Sequence, residues 1–177
     1  MVLRRADLGP TGWTGGAVKP DLSSTLTCPG YNPKQSDLVV TGAAQSDFRH
    51  RGLALRSVAQ VLKTRSMVAR DWRRTVVGPR AFTCLRHMLT KQLTAKERLV
   101  LFRKLAFPRL ARYAAAYRLL ISVRRQGQRA LVVVDIVLVG RSRTEVTLTL
   151  SAPASARAGL SAAEVRLARG LLARIRA

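Results

Sequence analysis

Along residues 53–62, Leu53, Leu55, Ser57 and Ala59 alternate with Ala54, Arg56, Val58 and Gln60. A period of two predicts a strand with two unlike faces. Residues 38–48 form another stretch of strand length, and Arg49-His50-Arg51-Gly52 between the two reads as a hairpin turn. The period then changes. Val68, Trp72 and Val76 recur at i, i+4 and i+8 with Arg70, Arg73 and Arg74 on the other side, which predicts a helix. Gly78-Pro79 ends it, and Phe82, Leu85, Met88 and Leu89 form the apolar stripe of a second helix, with Cys84 beside them. Four strands are predicted next, over residues 98–107, 114–123, 130–139 and 143–150. In the last of these Thr144, Val146, Leu148 and Leu150 alternate with Arg143, Glu145, Thr147 and Thr149, as in a half-buried antiparallel strand. The final helix is predicted to open at the capping box Ser161-Ala162-Ala163-Glu164, with Leu160 stapled onto Val165. Val165, Ala168, Leu171, Leu172 and Ile175 would then share its buried face, opposite Arg166, Arg169 and Arg174.

Residues 1–36 hold breakers at Gly9-Pro10, Gly12, Gly15-Gly16, Pro20, Pro29-Gly30 and Asn32-Pro33. They are read as a loop region, kept ordered on the core by Trp13 and Tyr31. The expected order is loop–β–β–α–α–β–β–β–β–α. This is an α+β fold, a six-stranded antiparallel sheet with helices packed on it, formed by a single domain over 37–177.

At 177 residues with 47% hydrophobic and 23% charged positions, the chain has the composition of one globular domain rather than a disordered tail. No apolar run has the length of a membrane span; the stretch 130–134 is interrupted by Asp135. Met1-Val2-Leu3-Arg4-Arg5 lacks the apolar segment of a signal peptide, so export would require a targeting segment upstream of Met1.

Charge changes the picture more. The 32 Lys and Arg against 9 Asp and Glu give a net charge of +23, and only six of the basic residues are lysines. Such a field attracts polyanions by counterion release, weakly and without sequence preference. The arginines are scattered, with no block of five or six like charges, so a biased composition accounts for them as well as a binding function does. Arg70, Arg73 and Arg74 are the anion-binding candidates, spaced i, i+3, i+4 on one predicted helix face.

Catalytic signals are sparse. Gly-x-Ser-x-Gly, P-loop, Gly-x-Gly-x-x-Gly and His-Glu-x-x-His motifs are missing, and His50 and His87 stand alone, so neither a metal nor a cofactor is expected. Most of the nine acids fall at loops and element ends, where turn formation or capping explains them. Asp135 is the one acid inside an apolar strand; burial there demands a partner, with Arg118 and Arg143 as candidates for an ion pair. Cys28 and Cys84 lie 56 residues apart. One disulfide in an oxidising compartment, stabilising by roughly 3–4 kcal/mol, and two buried thiols in a reducing one both fit them. A Cys84–His87 nucleophile pair is the weaker reading, because it needs an exposed thiol of low pKa.

Several short motifs, taken in order, resemble the exported sensor domain of actinobacterial receptor serine/threonine kinases of the PknH type and of many free actinobacterial lipoproteins. They are the loop Asp7-Leu8-Gly9-Pro10-Thr11-Gly12-Trp13, Cys28, the strand Thr41-Gly42-Ala43-Ala44-Gln45-Ser46-Asp47-Phe48, the helical Ala69-Arg70-Asp71-Trp72, Cys84, Tyr117-Arg118, the strand 132–139 and Gly140-Arg141. The resemblance implies an antiparallel sheet with helices, a Cys28–Cys84 disulfide pinning a cleft, and binding of an envelope ligand. The chain departs from that family in having one cysteine pair rather than two and in its basicity.

The expectation is therefore a non-enzymatic ligand-binding or sensor domain, extracytoplasmic and held at the membrane through a segment outside this sequence. Its ligand would belong to the envelope, with anionic cell-wall polymers and lipid head groups as candidates. The alternative is an intracellular protein that binds nucleic acid without sequence specificity.

Overall fold

The computed structural model describes residues 1–9, 12–23 and 26–175; Pro10 and Thr11 of the loop motif lie outside them. The strands are β1 (Thr14–Val18), β2 (Val40–His50), β3 (Leu53–Leu62), β4 (Glu97–Leu105), β5 (Tyr113–Arg125), β6 (Gln128–Arg141) and β7 (Thr144–Pro153). The helices are α1 (Arg65–Trp72), α2 (Pro79–Lys91) and α3 (Arg157–Ala173). All seven strands join one antiparallel sheet in the order β1-β2-β3-β7-β6-β5-β4. After β3 the chain runs through α1 and α2 to the far edge, then meanders back until β7 pairs with β3. Leu55 lies opposite Leu150 and Ala59 opposite Val146 at this central seam.

The sheet has seven strands rather than six, because residues 14–18 of the expected loop region pair with β2. Thr14-Gly15-Gly16-Ala17-Val18 has no apolar alternation to announce a strand. It pairs all the same because Gly15, opposite Phe48 at φ +106°, has no Cβ to collide with the Asp47 carbonyl oxygen.

α3 corrects a second expectation. It begins at Arg157, directly after the 3-10 turn Ala154–Ala156, a full turn before Ser161, and its N-cap Ala156 makes no side-chain cap. Leu160 is buried, and Glu164 caps nothing: it is 1% exposed beneath the helix. Glu164, rather than Val165, therefore lies on the buried face beside Ala168, Leu171, Leu172 and Ile175. Arg174, expected in water, donates to the Val2 carbonyl at 2.9 Å and to Asp7 at 2.5 Å.

Each face of the sheet carries its own apolar layer. α3 and the N-terminal Leu3 and Leu8 cover one face, packing on Phe48, Leu55, Val137 and Leu148. Buried Ser57 accepts a hydrogen bond from the Leu3 amide at 2.8 Å and meets Ser46 at 2.9 Å, which fixes the N-terminus to that face. α1 and α2 cover the β5–β4 side of the other face through Trp72, Ala115 and Tyr117, with Phe82 stacked on Phe102 at 4.6 Å. Thr64 caps α1 by accepting the Met67 amide. Past Trp72 the helix widens into a π-helical turn, Arg73–Val77, and Pro79 at the first position of α2 restarts it.

Cys28 and Cys84 are bonded, with their Cα atoms 5.7 Å apart, tying the segment between β1 and β2 to α2. That segment contains little regular structure, so the crosslink removes much of the freedom it would have in the unfolded chain. Replacing both cysteines with serine should lower the unfolding free energy by roughly 4 kcal/mol on the loop-entropy relation, read from the denaturant midpoint. An unchanged midpoint would show that the strap is held by its other contacts alone.

Candidate functional site

On the sheet face opposite α3, the β3–β7–β6 surface is roofed at a distance rather than packed. The floor is set by register: Glu145 lies beside Gln60 and Thr147 beside Val58, with Ile136 and Leu138 on the next strand. Asp71, Trp72, Thr75 and Val76 from α1 and its π-helical turn form one wall, and the strap of residues 19–38 closes the other with Leu22, Leu26, Gln35 and Leu38. The partly enclosed cavity measures about 570 Å³. Small-molecule sites commonly fall in this size range and share its mostly apolar lining with a few polar groups.

Several bonds besides the disulfide hold the strap. Cys28 and Tyr31 exchange backbone hydrogen bonds at 3.0 and 2.9 Å, and the Tyr31 hydroxyl donates to the Arg74 carbonyl. Arg74 Nη1 donates to the Pro33 carbonyl at 2.9 Å and the Lys34 carbonyl at 3.1 Å, and lies 3.4 Å from Asp37. Gln35 accepts the Leu26 amide at 2.8 Å and donates to Asp71 at 3.3 Å, so one side chain joins strap and cavity wall.

Asp71 and Glu145 are the chemistry of this cavity. Asp71 from α1 and Glu145 from β7 both line it, close enough that each bears on the other's titration. Burial, then the charge of Asp71 and the hydrogen bond to it, push Glu145 up to about 9. Asp71 is raised as well, by burial, against the hydrogen bonds from Gln35 and Glu145 and the nearby charge of Arg74. Such a pair accepts and donates hydrogen bonds at once and can hold a cation; carboxyl pairs of this kind can also activate water.

A second acidic cluster lies under α3. Arg118 and Asp135 are cross-strand neighbours, and Arg118 Nε and Nη2 donate to the two Asp135 oxygens at 2.7 and 2.5 Å. Asp135 is fully buried and Arg118 is 6% exposed. The other sequence candidate, Arg143, instead donates to the Lys63 carbonyl at 3.4 Å. Glu164 completes the cluster, with an oxygen 3.9 Å from Arg118 Nη2. Burial first, then its hydrogen bond to Asp135, push Glu164 up to about 8. With that proton in place, one cation and two acids leave the buried cluster electrically neutral.

The arginine candidates do not form the expected free triad. α1 ends at Trp72, so Arg70 stays on the helix while Arg73 and Arg74 lie on the π-helical turn. Arg73 and Arg74 share a groove with Lys34 and Arg80, but Arg74 is committed to strap carbonyls. Removing it would disturb the cavity roof, whereas the i, i+3, i+4 spacing promised a face clear of the core. The disulfide also closes the Cys84–His87 reading, since Cys84 has no thiol.

Sequence reasoning placed Asp71 and Glu145 among acids at element ends. The available signals were weak: Asp71 adjoins the Val68–Trp72–Val76 stripe, and Glu145 heads a run with Thr147 and Thr149 on one strand face. That run reads as solvent-facing unless something is known to roof it. No family model matches the chain, and no characterised protein matches it either. Nothing in these comparisons links the chain to exported sensor domains.

Two outcomes test these clusters. Arg118→Met should cost about 3–5 kcal/mol, because it leaves buried Asp135 without its partner; a loss below about 1 kcal/mol in the denaturant midpoint would show that the ion pair is dispensable. Glu145 and Glu164 have folded pKa values raised above their unfolded ones, so between those values the folded protein binds the extra protons. Stability should therefore fall as pH rises from about 5 to about 9, and the Glu145→Gln, Glu164→Gln double variant should flatten that slope. Melting curves across the range check it, and an unchanged slope in the double variant contradicts the assignment.

Proposed function

We propose that this chain is a non-catalytic, extracytoplasmic ligand-binding domain of the cell envelope, and that its ligand occupies the cavity over β3, β6 and β7. The cavity is the observation that carries the proposal: about 570 Å³, with an apolar lining, a few convergent polar groups and a crosslinked roof. The Cys28–Cys84 bond supports the compartment, because disulfides persist where conditions are oxidising. It favours an exported protein over an intracellular nucleic-acid binder. The motif order shared with exported sensor domains points the same way, with a membrane anchor supplied from outside this chain. Among the described residues no helix is long and apolar enough to cross a membrane.

Binding is favoured over catalysis at the carboxyl pair because Gln35 already engages Asp71 and the strap encloses the pair with leucines. Scattered surface guanidinium groups fit a protein working against an anionic envelope, where they would hold it loosely and without selectivity.

The test uses a neutral apolar probe, so that the surface charge does not bias it. Nile red should bind saturably with one-to-one stoichiometry and a blue-shifted emission. Val58→Trp, which fills the cavity floor, should weaken binding by about tenfold or more while leaving the far-ultraviolet spectrum unchanged. Absence of saturable binding, or equal binding by a folded Val58→Trp protein, would remove the cavity as the site.

A further inference from the structure

We infer that the cavity selects an amphiphile whose apolar body lies on the sheet and whose head group is an ammonium held by Asp71 and Glu145. The inference rests on the cavity being the binding site, and adds to it the charge of what binds there.

Three observations support it. First, 32 of the chain's 177 residues are Lys or Arg, yet among the described residues the cavity is lined by none of them, nor by His. The lining includes two of the chain's nine acids. A site for a carboxylate or phosphate needs a cation or converging donors, and here the charged groups are carboxyls. An anionic head would meet them at close range.

Second, the two carboxyls face one cavity from different elements, Asp71 from α1 and Glu145 from β7. Around them stand Gln35, Gln60, Thr75 and Thr147, all neutral. Gln35 donates one hydrogen bond to Asp71, and the Thr75 hydroxyl donates to the Asp71 backbone carbonyl at 2.9 Å rather than to the carboxyl. An ammonium brings three donors, enough to engage both carboxyls. The charge of Arg74 bears on Asp71, but its guanidinium is bonded to the Pro33 and Lys34 carbonyls.

Third, the remaining lining is mainly aliphatic, with Leu22, Leu26, Leu38, Val58, Ile136 and Leu138 meeting from strap and sheet beside Trp72, Ser36 and Thr149. That surface suits a hydrocarbon body better than a polyol. The net charge of +23 does not forbid a cation here, since at physiological salt a surface charge is screened over about 8 Å while the head group touches the carboxyls directly.

Calorimetry with octylamine, octan-1-ol and octanoate at physiological salt decides it, because the three share one chain and differ in the head. Octylamine should bind at least about tenfold tighter than the alcohol, and octanoate weakest. The Asp71→Asn, Glu145→Gln double variant should lose about tenfold in octylamine affinity and keep the alcohol within about twofold. If the alcohol and octanoate bind as tightly as the amine, and Val58→Trp blocks all three, the cavity stands and the ammonium preference is overturned. If none binds, cavity and preference fall together. The comparison on the unmodified protein decides the matter even if the double variant does not fold.

Discussion

The Cys28–Cys84 bond holds a segment of irregular chain over a sheet that would otherwise be open there. Among the described residues of 19–38 the regular structure is a 3-10 turn and an isolated bridge between Cys28 and Tyr31, which gives them little reason of their own to stay. Ordering them costs backbone entropy on the order of 1–2 kcal/mol per residue. The crosslink lowers that cost by restricting the unfolded chain, and Tyr31, Arg74 and Gln35 then register the strap against α1. Once the strap is fixed, the face bearing Glu145, Thr147 and Thr149 becomes a cavity floor. The same face without it would be an ordinary wet side of an antiparallel sheet.

The two acidic clusters show what that roof changes. Under α3, packing is tight, and Asp135 survives burial because Arg118 matches it with a forked, two-point contact. Glu164 joins them by keeping its proton. In the cavity, Gln35 hydrogen-bonds Asp71, and among the described residues no lysine or arginine lines the space around it and Glu145, although guanidinium groups are abundant in this chain. A folding core with that much arginine available could have paired them. The side chain best placed to do so, Arg74, binds strap carbonyls instead. Asp135 is satisfied within the protein, while Glu164 Oε1 is buried without a hydrogen-bond partner, 3.9 Å from Arg118; the Asp71–Glu145 pair instead faces a cavity.

Much of the architecture could be read from periodicity. β2, β3 and the four strands from β4 to β7 follow segments where apolar residues alternate or run, and α1 and α2 follow the Trp72 and Phe82 stripes. The misses share a physical cause: each depends on a partner far away in sequence. β1 forms because β2 offers an edge that Gly15 can approach, a fact invisible in Thr14–Val18 itself. Ser161 and Glu164 have the spacing of a cap, but burial beside Arg118 and Asp135 outweighed that local preference and the helix began a turn earlier. The arginine candidates are divided between α1 and a π-helical turn, and Arg74 is drawn to strap carbonyls, which the i, i+3, i+4 spacing alone does not announce. Asp135 needed a partner on local grounds, whereas the pairing of Asp71 with Glu145 requires knowing that α1 crosses β7.

Surface charge and cavity charge have opposite signs in this protein, and distance separates their roles. Guanidinium groups spread over the exterior act through a field that salt attenuates within about 8 Å, so they suit loose, unselective attraction better than recognition. The carboxyl pair would act at hydrogen-bond range on a head group proposed to enter the partly enclosed cavity. Attraction to an anionic envelope and selection of a cationic or neutral ligand are therefore compatible. The first needs many scattered charges and no geometry, which is what the arginine-rich surface provides. The second needs two groups held in register by α1, β7 and the strap, and the disulfide keeps the strap in place.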